Sequence, residues 1–309
     1  MPRAAVLTEG RLVVQDLPTP EPAAGEVRVG VTLAGVNYWE IMQRDGRVPA
    51  PERGVPGREG VGVVRELGPG VDGLVVGQRV AWSSVDGSYA EEVTGPAAGF
   101  TPVPDGLADE TAAGLLFQGM TAHYLATDAW PLGEGDAAVV TAAAGGVGLI
   151  LTQLLTRRGV RVTGLASTPD KAAVVLAAGA VDVLGYDDPV AERSVAAVFD
   201  GVGADVPRRL LASLRPRGAM VLYGATSGQE SDLGTLDLGQ GSFFLTRAAG
   251  RDYLGDAVAR AARAAELLRA AAAESLTVHI GGRWPLADAE RAWEALTSRA
   301  SRGKLLVGG

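Results

Sequence analysis

The chain has 309 residues, which exceeds what one hydrophobic core usually supports and predicts two domains or one large α/β unit. It has no cysteine, and His123 and His279 are its only imidazoles, which excludes disulfides, thiolate zinc sites, iron–sulfur clusters and three-histidine metal sites. The net charge of −8, with Lys and Arg dispersed along the chain, argues against nucleic acid as a partner.

The beginning of the chain, MPRAAVLTEGRLVV, is typical of a β-strand rather than of a signal peptide. No stretch approaches the length of 18 consecutive apolar residues that a membrane-spanning helix needs. We therefore expect a cytoplasmic protein with no membrane partner.

The first part of the chain, to about residue 120, predicts an irregular β domain. Short apolar or alternating runs, such as EVRVGVTLAGV at 26–36 and GVGVVREL at 60–67, are separated by Gly and Pro. Helix signals are weak and occur at 39–44 and 109–126, the second with acidic residues before the apolar run AAGLLF.

From Gly135 onward, strands alternate with helices. The strand AAVVTA leads through AAAGGVG into a helix, and a second strand and helix follow (VRVTGLA, PDKAAVVLAAGA). Further strands are predicted at VDVLGY, AAVFDGVG, GAMVLYG and SFFLTRAA, with 227–241 as a loop, one helix over 252–274, and a strand, a helix and a strand in the tail. This alternation predicts a parallel sheet with right-handed crossovers.

The loop AAAGGVG has the position and composition of a dinucleotide-binding turn. Gly145 and Gly146 allow the backbone to approach a pyrophosphate, Gly148 allows close packing of helix on strand, and the helix N-terminus offers free N–H groups. Ala143 replaces the first glycine of the usual fingerprint, so a purely structural turn is the alternative.

The end of the second strand indicates which dinucleotide is bound. NAD-binding folds usually carry an Asp or Glu there for the ribose hydroxyls, and this chain carries none. Ser167 and Lys171 offer a hydroxyl and a cation, which suit the 2′-phosphate of NADPH. Alternatively, Ser167 and Thr168 cap a helix that begins at Pro169, and Lys171 is a solvated lysine.

With these residues in place, the chain resembles the zinc-independent quinone oxidoreductase (zeta-crystallin-like) branch of the medium-chain dehydrogenase/reductase superfamily. Eight ordered segments carry the resemblance: GVNYWEIMQRDGRVP (35–49), PGREGVGVVRELGPGVDGLVVGQRV (56–80), GSYAEE (87–92), QGMTAHYL (118–125), AAAGGVG (142–148), FDGVG (199–203), GSFFLTR (241–247) and PLADAERAWEALTSRASRGKLLV (285–307).

The resemblance implies an α/β protein with two domains. A β-rich, GroES-like catalytic domain is expected from residues 1–119 and 255–309, and a doubly wound Rossmann domain that binds NADP from residues 120–254. Zinc-dependent alcohol dehydrogenases of the superfamily have a Cys and a His where this chain has Asn37 and Arg58, and the lobe with four structural cysteines is missing. We therefore expect no metal, and hydride transfer from NADPH to a quinone or an activated enone.

The same resemblance implies roles for individual residues. Contacts with the nicotinamide region and catalysis are implied for Asn37 and Thr121, and contacts with the pyrophosphate for Gly145, Gly146, Val147 and Gly148. Contacts with the 2′-phosphate and adenosine are implied for Ser167, Lys171 and Tyr186, and other cofactor contacts for Ser227, Phe243 and Lys304. Tyr38, Glu40 and Met42 are implied to line the substrate pocket. Taken singly, several have plain structural alternatives: Asn37 as a turn former, Thr121 bonded to its own helix, Tyr186 packed, and Lys304 solvated. His123 is expected to be a packed histidine rather than a general acid.

The chain departs from the family pattern around the acceptor. The family usually has Tyr at position 42 and Asp at position 40, where this chain has Met42 and Glu40, and Ala225 replaces an Asn. These changes leave the acceptor open. Besides the reductase, a biosynthetic tailoring enzyme with a non-redox step and a nucleotide-binding structural or regulatory protein stay as alternatives. A homodimer is expected through the strand SFFLTRAA at 242–249, as in the family.

Overall fold

The structure is a computed structural model that describes residues 1–51, 53–298 and 300–308. The chain divides into two compact units. The first unit consists of Met1–Met120 and Ala257–Gly309, and the second of Thr121–Asp256.

The first unit begins with a hairpin and continues into a seven-stranded sheet. Strand β3 is central to this sheet: it pairs antiparallel with β4, with β6 and with the last strand of the chain. The elements up to residue 124 are β1 (Arg3–Thr8), β2 (Arg11–Asp16), β3 (Glu26–Val36), α1 (Tyr38–Arg44), β4 (Gly60–Leu67), β5 (Arg79–Trp82), β6 (Glu92–Pro96), β7 (Phe100–Pro102) and α2 (Asp109–Tyr124).

The second unit is a doubly wound parallel sheet of six strands, as the alternating pattern predicts. Its strand order is β10-β9-β8-β11-β12-β13, and every pairing is parallel. Its elements are β8 (Ala137–Val140), α3 (Gly146–Arg157), β9 (Arg161–Leu165), α4 (Pro169–Ala177), β10 (Asp182–Leu184), β11 (Val195–Asp200), α5 (Val206–Leu210), β12 (Leu214–Leu222), α6 (Thr235–Gly239), β13 (Phe244–Arg247) and α7 (Gly250–Tyr253).

The C-terminal segment completes the first unit. Strand β15 lies between β14 and β3, so it is an interior strand of the seven-stranded sheet. Residues Leu305, Leu306 and Val307 are fully buried there. The elements are α8 (Ala257–Ala272), β14 (Ile280–Trp284), α9 (Ala289–Thr297) and β15 (Lys304–Val307).

Two sequence predictions of secondary structure were wrong. The loop predicted at 227–241 contains the short helix α6, whose first turn is supported by Asp237, which accepts a hydrogen bond from the Gly234 N–H at 2.9 Å. The single helix predicted over 252–274 is two helices, α7 and α8, with a break at 254–256. Gly255 and Asp256 both have low helix propensity, which favours the break.

In the part of the chain that the structure describes, no helix combines the length and the apolar character that crossing a membrane requires.

Candidate functional site

The glycine loop of the second unit connects the carboxyl end of β8 to α3. Ala142 has a φ of 47°, which turns the backbone sharply, and Gly145 is the residue that precedes the helix. A Cβ at Gly148 would lie 2.5 Å from the Ala142 carbonyl oxygen, so the close packing predicted for this glycine is present. The first-turn amides of residues 146–148 have no acceptor within the helix, because an α-helix leaves its first N–H groups unpaired. The loop therefore fits a pyrophosphate.

The missing first glycine of the fingerprint has a compensation in the neighbouring strand. Ala143 is fully buried, and Gly164 of β9 lies beside it. A Cβ at position 164 would be 3.0 Å from the Ala143 Cβ. The methyl group of Ala143 is accommodated because Gly164 has none.

Polar groups gather where β8 and β11 end. The Thr141 hydroxyl donates to Asp200 Oδ1 at 2.7 Å, and the Gly203 N–H donates to Asp200 Oδ2 at 2.7 Å. Burial raises the pKa of Asp200, and these two hydrogen bonds oppose the rise. β8 and β11 are adjacent although β9 follows β8 in sequence, so they form the switch point at which open α/β sheets bind ligands.

The side chain of Tyr186 contacts the glycine loop. Its hydroxyl accepts a hydrogen bond from the Ala142 N–H at 2.9 Å. The resemblance implied a place near the adenosine, and the structure shows that the phenol holds the first peptide of the loop. Its contact with the cofactor stays a prediction.

Ser167 and Lys171 lie together after β9. The Lys171 Nζ is 3.4 Å from the Ser167 hydroxyl, and Ser167 is exposed. Thr168 is the cap residue of α4, since its hydroxyl accepts from the Lys171 N–H at 3.3 Å and Pro169 follows in the first turn. Capping is confirmed for Thr168. The role of Ser167 and Lys171 at the 2′-phosphate stays a prediction. Burial lowers the pKa of Lys171.

Thr121 lies one turn before Tyr124 on α2, and a side-chain hydrogen bond joins the two. The Tyr124 hydroxyl also donates to the Ala248 carbonyl at 3.3 Å, and its ring stacks on Tyr253 with centroids 4.5 Å apart. Burial raises the pKa of Tyr124 to about 12. His123 is 3.4 Å from the Thr127 hydroxyl through its Nδ1, on the same helical stretch.

Ser227 and Phe243 are half-buried in the second unit. The Ser227 hydroxyl donates to the Gln229 carbonyl at 3.0 Å and so closes its own turn. Phe243 packs against the core cluster that contains Val198 and Met220. Both roles as cofactor contacts stay predictions.

The first unit contains a buried polar network around Asn37. The Lys304 Nζ donates to Asn37 Oδ1 at 2.7 Å and to Glu59 Oε2 at 2.5 Å, and both charged side chains have no exposed surface. Asn37 Nδ2 is 3.3 Å from Glu59 Oε2, and the Phe117 N–H donates to Glu59 Oε1 at 2.7 Å. Gly35 makes room for this ion pair, since a Cβ there would be 2.7 Å from the Lys304 Cε.

This network changes the interpretation of Lys304. The resemblance implied contact with the cofactor, and the plain alternative was a solvated lysine. The solvated alternative is wrong, because Lys304 is fully buried and bound to Glu59 and Asn37. Direct contact with the cofactor stays a prediction. Glu59, which the sequence did not mark, binds both Lys304 and Asn37 through its carboxylate.

Glu40 is a second fully buried carboxyl in this unit. Its Oε2 accepts from the Asn37 N–H at 2.6 Å, and its Oε1 has no hydrogen-bond partner. Burial raises the pKa of Glu40 to about 8, although Lys304 acts in the opposite direction. At neutral pH the Glu40 side chain therefore holds a proton. Glu40 has no exposed surface, and its carboxyl binds the backbone N–H of Asn37, the residue that precedes α1. Its place in a substrate pocket stays a prediction.

Tyr38 and Met42, the other predicted pocket residues, are half-buried on α1. Arg58 pairs with Asp86 at 2.9 Å and lies over the Trp39 ring, with its guanidinium carbon 5.1 Å from the ring centroid.

The residues at the expected zinc position do not fit a zinc ion. Asn37 is an amide bound to Lys304, and Arg58 is a cation. Among residues 1–51, 53–298 and 300–308, no group of three or more His, Cys, Asp or Glu side chains could hold a metal ion.

Two family models match the chain. The alcohol dehydrogenase GroES-like domain matches residues 23–132, and the zinc-binding dehydrogenase model matches residues 171–307. A probable quinone oxidoreductase of Schizosaccharomyces pombe is 33% identical over 93% of this chain and 90% of that protein. The chain belongs to the quinone oxidoreductase family of the medium-chain dehydrogenase/reductase superfamily.

Two further members of the family are informative. A 2-haloacrylate reductase of Burkholderia is 32% identical, over 96% of this chain and 94% of that protein. A mycobacterial protein solved in complex with NADPH is 39% identical, with a TM-score of 0.94 over the whole of both chains. These matches confirm the predicted combination of a GroES-like domain with a Rossmann domain.

Proposed function

We propose that the protein is an NADPH-dependent oxidoreductase that reduces a quinone or an α,β-unsaturated carbonyl compound without a metal ion. The observation that carries the proposal is the glycine loop at the switch point of the parallel sheet, together with the Ser167–Lys171 pair after the next strand. The mycobacterial relative with bound NADPH and the S. pombe relative named as a quinone oxidoreductase support it.

The chain's own residues divide the work of binding NADPH. The amides of Gly146, Val147 and Gly148 at the start of α3 take the pyrophosphate. The Ser167 hydroxyl and the Lys171 ammonium take the 2′-phosphate, which an NAD-type carboxylate would repel. When bound, NADPH supplies the hydride.

The acceptor oxygen is stabilised by hydrogen bonds rather than by a Lewis acid, since the residues do not fit zinc. Thr121 and Asn37 are the proposed donors. The Asn37 Nδ2 makes only long bonds, 3.3 Å to Glu59 and 3.5 Å to the Gly35 carbonyl, while its Oδ1 accepts the Lys304 ammonium at 2.7 Å and fixes the amide orientation. Quinol and enolate products take their proton from water, and no strong protein acid is required.

An activated alkene is the second acceptor class. The 2-haloacrylate reductase relative is named for such a substrate. Met42 favours this class or a bulky apolar quinone, because a thioether presents an apolar surface with no hydrogen-bond donor.

We also propose that the protein forms a homodimer through strand β13. This strand is at the edge of the six-stranded sheet, and its side chains Phe244 and Leu245 are 48% and 37% exposed. An apolar edge strand with open backbone groups favours pairing with a second copy.

The test is a rate measurement at 340 nm with NADPH and a panel of quinones and enones, before and after treatment with a chelator. The expected result is NADPH oxidation with at least one acceptor class and an unchanged rate after chelation. NADPH binding without oxidation across the panel would favour the non-redox tailoring enzyme or a nucleotide-binding regulator. Activity that disappears on chelation and returns with zinc would refute the metal-free mechanism.

A further inference from the structure

Tyr223 follows β12 and so lies, like the glycine loop, at the carboxyl ends of the parallel strands. Its ring lies against Gly201, which follows β11: a Cβ at Gly201 would be 2.7 Å from both Cζ and the hydroxyl oxygen of Tyr223. Gly201 therefore leaves the space that the phenol occupies. Tyr223 is half-buried, so part of the residue is exposed.

The hydroxyl of Tyr223 makes a long, weak hydrogen bond. It donates to the Thr141 carbonyl at 3.4 Å, a length at the outer limit of a hydrogen bond. Thr141 immediately precedes Ala142, whose N–H is held by the Tyr186 hydroxyl. Two phenols therefore flank the first peptide of the glycine loop. Burial raises the pKa of Tyr223 well above its ordinary value, and Asp200, Tyr186 and Tyr124 raise it further, so the phenol stays a donor at neutral pH.

Strand order indicates which half of a bound dinucleotide would lie near Tyr223. Ser167 and Lys171 follow β9, the glycine loop follows β8, and β11 and β12 lie on the other side of β8. If the phosphate of the adenosine half is bound at the end of β9 and the pyrophosphate at β8, the other half would extend over the ends of β11 and β12. From β9 to β12 there are three strand spacings, about 14 Å in total.

We propose that Tyr223 is a further cofactor-binding residue, whose hydroxyl exchanges its long bond to Thr141 for a hydrogen bond to the nicotinamide riboside half of NADPH. The assignment rests on the proposed function. No glycine motif or charged pair marks Tyr223 in the sequence, and its place follows only from the contact with Gly201.

The test compares two ligands in wild type and Tyr223→Phe. NADPH carries the nicotinamide riboside half, and 2′,5′-ADP carries only the phosphate end. Titration calorimetry of Tyr223→Phe is expected to show a dissociation constant for NADPH that is about 3- to 10-fold weaker and an unchanged one for 2′,5′-ADP, since a single hydrogen bond is lost. Lys171→Ala, in contrast, should weaken both ligands. Tyr89→Phe, which removes a buried phenol hydroxyl in the other unit, should change neither.

Three outcomes overturn the assignment. Equal affinity of wild type and Tyr223→Phe for NADPH would refute it. Equal weakening of NADPH and 2′,5′-ADP would show that the phenol only supports the glycine loop. A wild-type chain that binds neither ligand would overturn the proposed function together with the assignment, whereas the first two outcomes leave NADPH binding intact.

Discussion

Replacing Glu40 with glutamine removes an ionisable group from the interior of the first unit. In the folded chain burial raises the pKa of Glu40 to about 8 from an ordinary value of 4.5. At pH 7 the unfolded chain therefore carries an ionised Glu40 and the folded chain a protonated one. Each pH unit of that gap corresponds to about 1.4 kcal/mol. The proton uptake costs about 3 kcal/mol of folding free energy at pH 7.

The sign of the pH dependence follows from the direction of the shift. A group whose pKa is higher in the folded state contributes stability below its unfolded pKa, and the contribution is lost as pH rises toward the folded pKa. Wild type should thus lose about 3 to 4 kcal/mol between pH 5 and pH 8 through Glu40. The carbonyl of glutamine can still accept the Asn37 N–H, so Glu40→Gln should be more stable than wild type at pH 8 and nearly equal at pH 5.

Urea unfolding followed by tryptophan fluorescence measures this difference. Trp39, Trp82, Trp284 and Trp293 lie in the first unit, so the signal reports mainly on the unit that contains Glu40. Glu294→Gln on the exposed face of α9 is the matched control, and it should follow wild type at both pH values. A Glu40→Gln variant that shows the pH dependence of wild type, or that is less stable than wild type at pH 8, would contradict this prediction.

Four other outcomes are expected. Lys171→Ala should weaken NADPH by at least about tenfold and leave NADH nearly unchanged in calorimetry, because only NADPH has the phosphate that the ammonium binds. Met42→Tyr should raise the turnover of a small quinone by about tenfold or more, because the phenol adds one hydrogen-bond donor near the acceptor oxygen, and should leave the NADPH dissociation constant unchanged. Slower turnover would contradict this prediction. Leu245→Lys should convert a dimer to a monomer in sedimentation velocity, and a monomeric wild type would end that proposal. Purified protein should contain no stoichiometric zinc by elemental analysis.

Much of the second unit could be predicted from the sequence, because its signals are local. The alternation of apolar strands with helices, the glycines of the loop and the cap before Pro169 each depend on residues close together in the chain. The break between α7 and α8 was missed although Gly255 marks it, because the Ala- and Arg-rich sequence on the far side is strongly helical.

The network in the first unit could not be predicted in this way. Lys304 is 267 residues from Asn37 and 245 residues from Glu59, and no spacing rule links them. Their contact is produced by the position of β15 beside β3 in the sheet. The burial of Glu40 has the same origin: a carboxyl on a short helix predicts a solvated side chain until the packing around it is known.

Hydride transfer itself can be followed with NADPH that carries deuterium at both positions of the reactive carbon of the nicotinamide, so that the label is transferred from either face. The protein is incubated with this NADPH and with an enone acceptor, and the product is analysed by mass spectrometry. One deuterium is expected on the β-carbon of the reduced product, with one NADPH consumed per product and no dependence on added metal. Product without deuterium, or a product formed with no consumption of NADPH, would contradict the assignment of this protein as an NADPH-dependent reductase.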